Sequence, residues 1–299
     1  MKKMIQDHAT GIGLSLFGVA PPDRFAGLPA SVHPASILPE VRSILVVGKE
    51  IPRGDYRGVE EGTLWTFASK HLEQLLLLDM VRYIEQQSGY EAVPYMAHPA
   101  KTTPLSRPVS PDRPLPNVTL HLEYAAVAAG LGEISLIGQL LTPRFGSRNA
   151  LGIILTELEL EPDPLYSGSL CDHAACGKCA AICPAGAINP NKTVTLNIGG
   201  RLTELAEVNY HLCRMCPNGA APDFINKAGQ EELMLAFTGN QPDVVETSTV
   251  LTRRNVPNIA NAVCSRTCLA YLEHAERLQH RYVEPFRDTE PWLLDTWER

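Results

Sequence analysis

Cys171-Asp-His-Ala-Ala-Cys176-Gly-Lys-Cys179-Ala-Ala-Ile-Cys183-Pro-Ala-Gly-Ala-Ile188 reads C-x4-C-x2-C-x3-C-P, and the rest of the chain is read outward from it. Two more pairs lie further on, Cys213-x2-Cys216 and Cys264-x3-Cys268. All eight cysteines therefore lie between 171 and 268, and residues 1–170 hold none. Met1-Lys2-Lys3 is basic, but Gln6, Asp7 and His8 break the apolar run that a secretory leader needs next. The apolar runs at 43–48, 75–78 and 151–155 fall far short of the roughly 20 residues of a membrane helix. The expectation is a cytoplasmic chain with no membrane segment. Disulfides do not persist there, which leaves the thiols for metal or for catalysis.

Spacing separates those uses. A C-x2-C-x3-C-P run is how bacterial ferredoxins hold a [4Fe–4S] cube, and the last cysteine of the run ligates a second cube. Cys213-x2-Cys216 matches the opening of a second such run and Cys264-x3-Cys268 its close, with segment 217–263 inserted between. On this reading cluster A takes Cys171, Cys176, Cys179 and Cys268. Cluster B takes Cys183, Cys213, Cys216 and Cys264. Paired C-x2-C units also make zinc sites, so a pair of structural zinc ions is the alternative.

The chain of 299 residues is long enough for one large or two ordinary domains. It carries 26 Lys and Arg against 33 Asp and Glu, a net charge of −7, which argues against a protein built to grip nucleic acid. A hydrophobic content of 44% excludes a disordered chain. Residues 1–165 read as alternating helices and strands. An amphipathic N-terminal helix is followed by an apolar stretch at 14–20. A buried strand is expected at 42–48, and a long helix at 64–87 that stops at Gly89. A second strand is expected at 91–95, then a proline-rich loop at 94–116, an alanine-rich helix at 120–130 and a strand at 150–160. Glu161-Pro-Asp-Pro164 reads as a linker, dividing the chain into 1–165 and 166–299. Neither G-x-G-x-x-G nor G-x-x-x-x-G-K-[ST] occurs, so no nucleotide-binding loop is legible.

His33-Pro-Ala-Ser-Ile-Leu-Pro-Glu-Val-Arg-Ser-Ile-Leu-Val-Val-Gly48 resembles the entry strand of epoxyqueuosine reductases. Glu123-Tyr-Ala-Ala-Val-Ala-Ala-Gly-Leu-Gly-Glu133 is similar to a segment shared by those enzymes and reductive dehalogenases. Gly138, Leu140, Leu141, Thr142-Pro143, Phe145-Gly146, Arg148 and the cysteine run continue the likeness in order, over roughly residues 15–270. The resemblance implies an α+β fold: a nitroreductase-like α/β domain that binds a corrinoid (cobalamin), then a ferredoxin-like domain whose two [4Fe–4S] clusters reduce it. It also implies a low-potential ferredoxin or flavodoxin as donor and a small organic molecule as substrate. The methyltransferase motif D-x-H-x-x-G is absent, since Asp7-His8 and Asp172-His173 are adjacent pairs, so the corrinoid is expected base-off without a protein histidine.

Departures narrow the reading. Where epoxyqueuosine reductases carry an aspartate, this sequence has Asn117, and it stops at Arg299 without their helical-repeat tRNA-binding extension. Tyr124, His98 and Glu133 are the candidates for proton donation, with His121 and Lys101 nearby in sequence. Each also has a plainer role, as a packing residue, a loop residue or a helix cap respectively. For the corrinoid, Thr142, Arg144 and Arg148 are candidates because its amides and its phosphate need donors. Arg53 and Tyr56 are candidates after the 42–48 strand, against the alternative of a solvated loop. The tail Glu290-Pro-Trp-Leu-Leu-Asp-Thr-Trp297 reads as a docking tail or a homodimer contact.

Overall fold

Ile44, Leu45, Val46 and Val47 run without a polar break, a pattern that demands cover on both faces of the strand they form. A computed structural model supplies that cover; it describes residues 1–57, 67–95, 107–108, 110–114, 118–172, 175–183, 186–209, 212–213 and 262–287. Strands β1 (Leu16–Ala20), β2 (Ser43–Glu50) and β3 (Ala92–Tyr95) join β6 (Asn149–Thr156) in the order β1-β2-β6-β3, every pair antiparallel. Because side chains alternate across a strand, Ile44 and Val46 of β2 enter one apolar cluster with Ile153 and Leu155 of β6. Leu45 and Val47 enter another with Ile154. The second face is covered by helices α1 (Lys2–Gly11) and α2 (Phe67–Ser88) through Ile5, Ala9, Leu77, Met80 and Ile84.

The first face carries α3 (Leu122–Ala128), whose run of buried alanines lets it lie close on the sheet. Gly18 shows how close: a Cβ there would stand 2.4 Å from the Ala129 carbonyl oxygen. Over α3 folds a hairpin of β7 (Ile188–Ile198) and β8 (Arg201–Val208), which adds Ile198 and Leu205 to the same cluster. Gly199 and Gly200 form its two-residue turn at φ +58° and +96°, the conformation such hairpins need. The structure is thus mixed α and β.

A short ribbon of β4 (Glu133–Ile134) and β5 (Leu140–Leu141) leads from α3 toward the cysteines. Gly132 precedes it and passes so near β5 that a Cβ would lie 1.9 Å from the Leu141 carbonyl oxygen. Beyond the ribbon stand α4 (Lys178–Ala181) and α5 (Val263–His274). Ile51, Tyr56, Leu141 and Ala150 share one buried cluster with Leu170, Leu269 and Leu272, so both halves of the chain build the floor beneath the thiols. Among the described residues no helix is long and apolar enough to cross a membrane.

Candidate metal centre

Cys171, Cys176, Cys179 and Cys268 line one cavity, whose walls include Ser135, Leu136, Ile137, Tyr271 and Leu272. Cys171 and Cys176 come from the loop that enters α4, Cys179 from α4 itself, and Cys268 from α5. The loop is shaped locally. Asp172 accepts the Ala175 amide on Oδ1 at 3.1 Å and the Cys176 amide on its carbonyl at 3.0 Å, and Gly177 takes a left-handed φ of +53°. Burial pushes the Cys171 thiol up to about 12, and burial with the neighbouring thiols raises Cys268 well above the ordinary range. Both thiols hold their protons in the metal-free protein, so taking up metal must release them.

Three further cysteines gather one step away. Cys264, Cys183 and Cys213 pack on an apolar cluster of Leu136, Ile137, Ile188, Ala206 and Val208, which Cys171 and Cys179 also border. The Ala187 amide donates to Cys183 Sγ at 3.4 Å. Cys216 lies outside the described residues. A single tetrahedral zinc with bonds of about 2.3 Å would draw its sulfurs to within about 3.8 Å of one another. Among the described residues no three His, Cys, Asp or Glu side chains are grouped as ligands of one metal ion.

Glu133 projects from β4 to the start of the cysteine loop and is buried. Its Oε1 accepts the backbone amides of Leu170 and of Cys171, the latter at 2.5 Å. Its Oε2 pairs with Arg201 of β8. Arg201 in turn donates to the carbonyls of Tyr166 and of Gly168, the latter at 3.0 Å. Arg277 closes the third side, donating to the Leu170 carbonyl at 2.9 Å.

The remaining candidates take up other parts of the fold. Tyr124 is buried in α3, and its hydroxyl shares one proton between the carbonyls of Arg24 at 3.0 Å and Asn197 at 3.1 Å. Burial raises that hydroxyl to about 12. His121 caps α3, its Nδ1 accepting the Tyr124 amide at 3.2 Å. His98, Lys101, Asn117 and the tail at 290–297 lie outside the described residues.

Tyr56 is fully buried and donates to the Ser147 carbonyl at 2.9 Å, with Ser265 Oγ at 3.3 Å. Thr142 is buried too, donating to Asn149 Oδ1 at 2.9 Å and accepting the Phe145 amide at 3.2 Å. Arg53 pairs with Glu273 at 2.9 Å and lies over the Tyr282 ring at 4.3 Å, which ties it to the end of α5. Arg144 is exposed beside the Phe145 ring. Arg148 has no solvent exposure; its Nη1 pairs with Glu50 and donates to the Ile51 carbonyl at 2.6 Å. Among the described residues its Nε and Nη2 have no hydrogen-bond partner, and the guanidinium lies 5.4 Å from the Tyr282 ring centroid.

Arg201, Arg277 and Glu273 hold the backbone or side chains around the thiols, and sequence reasoning misses them. The hairpin that carries Arg201 has a signal, two glycines between alternating apolar residues. The other two have none, since their partners are distant in the chain.

No family model matches the chain. A tetrachloroethene reductive dehalogenase of Desulfitobacterium hafniense is 46% identical over 68 residues, 22% of this chain and 12% of that protein. One of Sulfurospirillum multivorans is 42% identical over 64 residues, 21% of this chain and 13% of that protein. The chain therefore aligns with only about an eighth of the length of these curated relatives. Among solved structures, a catabolic reductive dehalogenase in complex with 3-bromo-4-hydroxybenzoic acid covers 95% of this chain at TM-score 0.50 and 19% identity, over 38% of its own length. Epoxyqueuosine reductase from Streptococcus thermophilus covers 67% of this chain and 54% of its own at TM-score 0.46 and 18% identity. The chain is thus similar to reductive dehalogenases in fold over nearly its whole length and in a short stretch of closely similar sequence.

Proposed function

We propose that this chain is a corrinoid-dependent reductase in which two [4Fe–4S] clusters deliver electrons for the reduction of a small organic substrate. The observation that carries the reading is the cavity lined by Cys171, Cys176, Cys179 and Cys268, set on a chain with a dehalogenase-like fold. Four thiols around one space, three of them from a C-x4-C-x2-C run, are a donor set that a cube takes. Cys183, Cys213 and Cys264, with Cys216 as fourth ligand, would hold the second cube in a ferredoxin-like arrangement over 166–299. The two groups share an apolar wall of Leu136, Ile137 and Ile188.

Arg148 is where the described residues suit a corrinoid. A buried guanidinium with two unpartnered N–H edges is the donor that an amide carbonyl or a phosphate needs. Arg53 and Arg144 are the further cationic candidates. A bound corrinoid would supply two-electron chemistry at cobalt, and this chain has no D-x-H-x-x-G histidine to offer it. Tyr124 and Glu133 have their polar atoms engaged by main-chain partners and by Arg201. Neither is assigned the proton; His98 is the candidate left. A cytoplasmic enzyme served by ferredoxin or flavodoxin completes the proposal.

One observation favours a second reading, an iron–sulfur carrier that reduces another protein's cofactor. Tyr56 and Thr142 are interior and already satisfied, so two of the five corrinoid candidates present nothing to a ligand. Anaerobic purification separates the readings. Corrinoid absorption with a base-off EPR spectrum supports the reductase. Iron and sulfide without corrinoid, and no cobalamin uptake on reconstitution, would leave the carrier.

A further inference from the structure

Glu133 and Arg201 form a nearly closed unit against the loop that begins the cysteine run. The carboxylate side chain is 5% exposed and the guanidinium 22%. Both carboxylate oxygens of Glu133 are engaged: one takes the amides of Leu170 and Cys171, the other takes Arg201. Arg201 also donates to the carbonyls of Tyr166 and Gly168. The two side chains together hold the backbone at Tyr166, Gly168, Leu170 and Cys171. Gly132 is what permits it, because β4 could not approach β5 with a side chain there. The arrangement also puts a carboxylate at the backbone amide of one ligand of cluster A. Among the described residues, the backbone groups that the pair holds belong to the loop that leads into Cys171.

We propose that Glu133 and Arg201 are positioning residues for cluster A alone, fixing Cys171 through its backbone and setting the reduction potential of that cluster by their mutual charge balance. This rests on the iron–sulfur reading above. The physics is that of a charge near a redox centre in a weakly screened site: reduction adds an electron, so nearby negative charge opposes it and positive charge favours it. Paired, the two side chains sum to zero. Glu133→Gln keeps an oxygen for the two amides but leaves Arg201 as an uncompensated cation. Arg201→Gln leaves Glu133 as an uncompensated anion. The midpoints of cluster A should therefore move in opposite directions.

The test is a potentiometric titration followed by EPR on the anaerobically purified chain, its two clusters resolved by their separate signals. In Glu133→Gln the midpoint of cluster A rises, in Arg201→Gln it falls, and in the double variant it returns close to that of the unaltered protein, while cluster B stays in place throughout. Selective loss of cluster A in Glu133→Gln, with cluster B retained, equally supports the pinning of Cys171. Shifts of the same sign in both single variants, equal shifts in both clusters, or no shift at all would overturn the proposal. If Glu133→Gln fails to fold, the fall in Arg201→Gln and its absence in Arg201→Lys decide the matter. Unaltered protein without iron and sulfide would instead refute the iron–sulfur reading itself, so the two failures are told apart.

Discussion

Two ion pairs, each with one buried and one half-buried partner, are built differently. Glu133–Arg201 is saturated: the carboxylate and the guanidinium meet backbone or each other. Arg148–Glu50 is not, because Arg148 is wholly buried yet, among the described residues, leaves Nε and Nη2 without a hydrogen-bond partner. A saturated pair holds structure in place. An unsaturated one carries a desolvation cost, met here in part by Glu50, the Ile51 carbonyl and the Tyr282 ring at 5.4 Å, that a further acceptor would lower. The contrast fits the proposal that the first pair serves the cluster loop and the second the corrinoid.

The most severe way to break this division is to remove a thiol. Cys268→Ala should abolish cluster A and leave cluster B, seen as half the iron and one surviving EPR signal; loss of both clusters or of neither would contradict the grouping. Cys183→Ala should do the reverse.

Replacing each arginine by methionine sharpens the comparison in energy. Arg201→Met strands the buried Glu133 carboxylate and should cost about 3 kcal/mol of stability. Arg148→Met also relieves two unsatisfied donors and leaves a Glu50 that is 28% exposed, so it should cost less, about 1–2 kcal/mol. Denaturant unfolding of the cluster-free proteins measures both. Equal costs would erase the distinction drawn between the pairs.

The smallest effect concerns Tyr56, which bridges the 53–57 turn to Ser147 and to Ser265 beside Cys264. Tyr56→Phe should cost about 1 kcal/mol near neutral pH. Burial raises its hydroxyl from 10.0 to about 12, so the folded state favours the neutral form. Its contribution is complete below pH 10 and is lost as pH rises through about 12. Alkaline unfolding should consequently be shallower over that range in the phenylalanine variant than in the unaltered chain.

How much of this is legible in the sequence depends on the range of the interactions involved. The β2 strand is legible because four consecutive apolar residues need cover on both faces, and α1–α2 and α3 provide it. The α3 helix is legible in its alanines, and the cysteines in their spacing. The hairpin at 188–208 carries a turn signal in Gly199-Gly200, yet it is absent from the elements expected above. Glu133 stands out as a polar residue after Gly-Leu-Gly, with a local cap as its plainer role. Its actual partners stand 37, 38 and 68 positions away, and no periodicity connects such residues. Tyr124 shows the same limit, since its hydroxyl meets carbonyls 100 and 73 positions distant.

The central claim is that the cysteines feed electrons to a corrinoid held by the first half of the chain. It is tested most directly by purifying the protein under anaerobic conditions, adding cobalamin, and measuring iron, sulfide and cobalt together with the EPR spectrum. The account predicts iron and sulfide equal to two cubes, one bound corrinoid per chain, a base-off cobalt signal, and weaker corrinoid binding in Arg148→Met. Two cubes with no corrinoid retained, or retention unaffected by Arg148→Met, would contradict it.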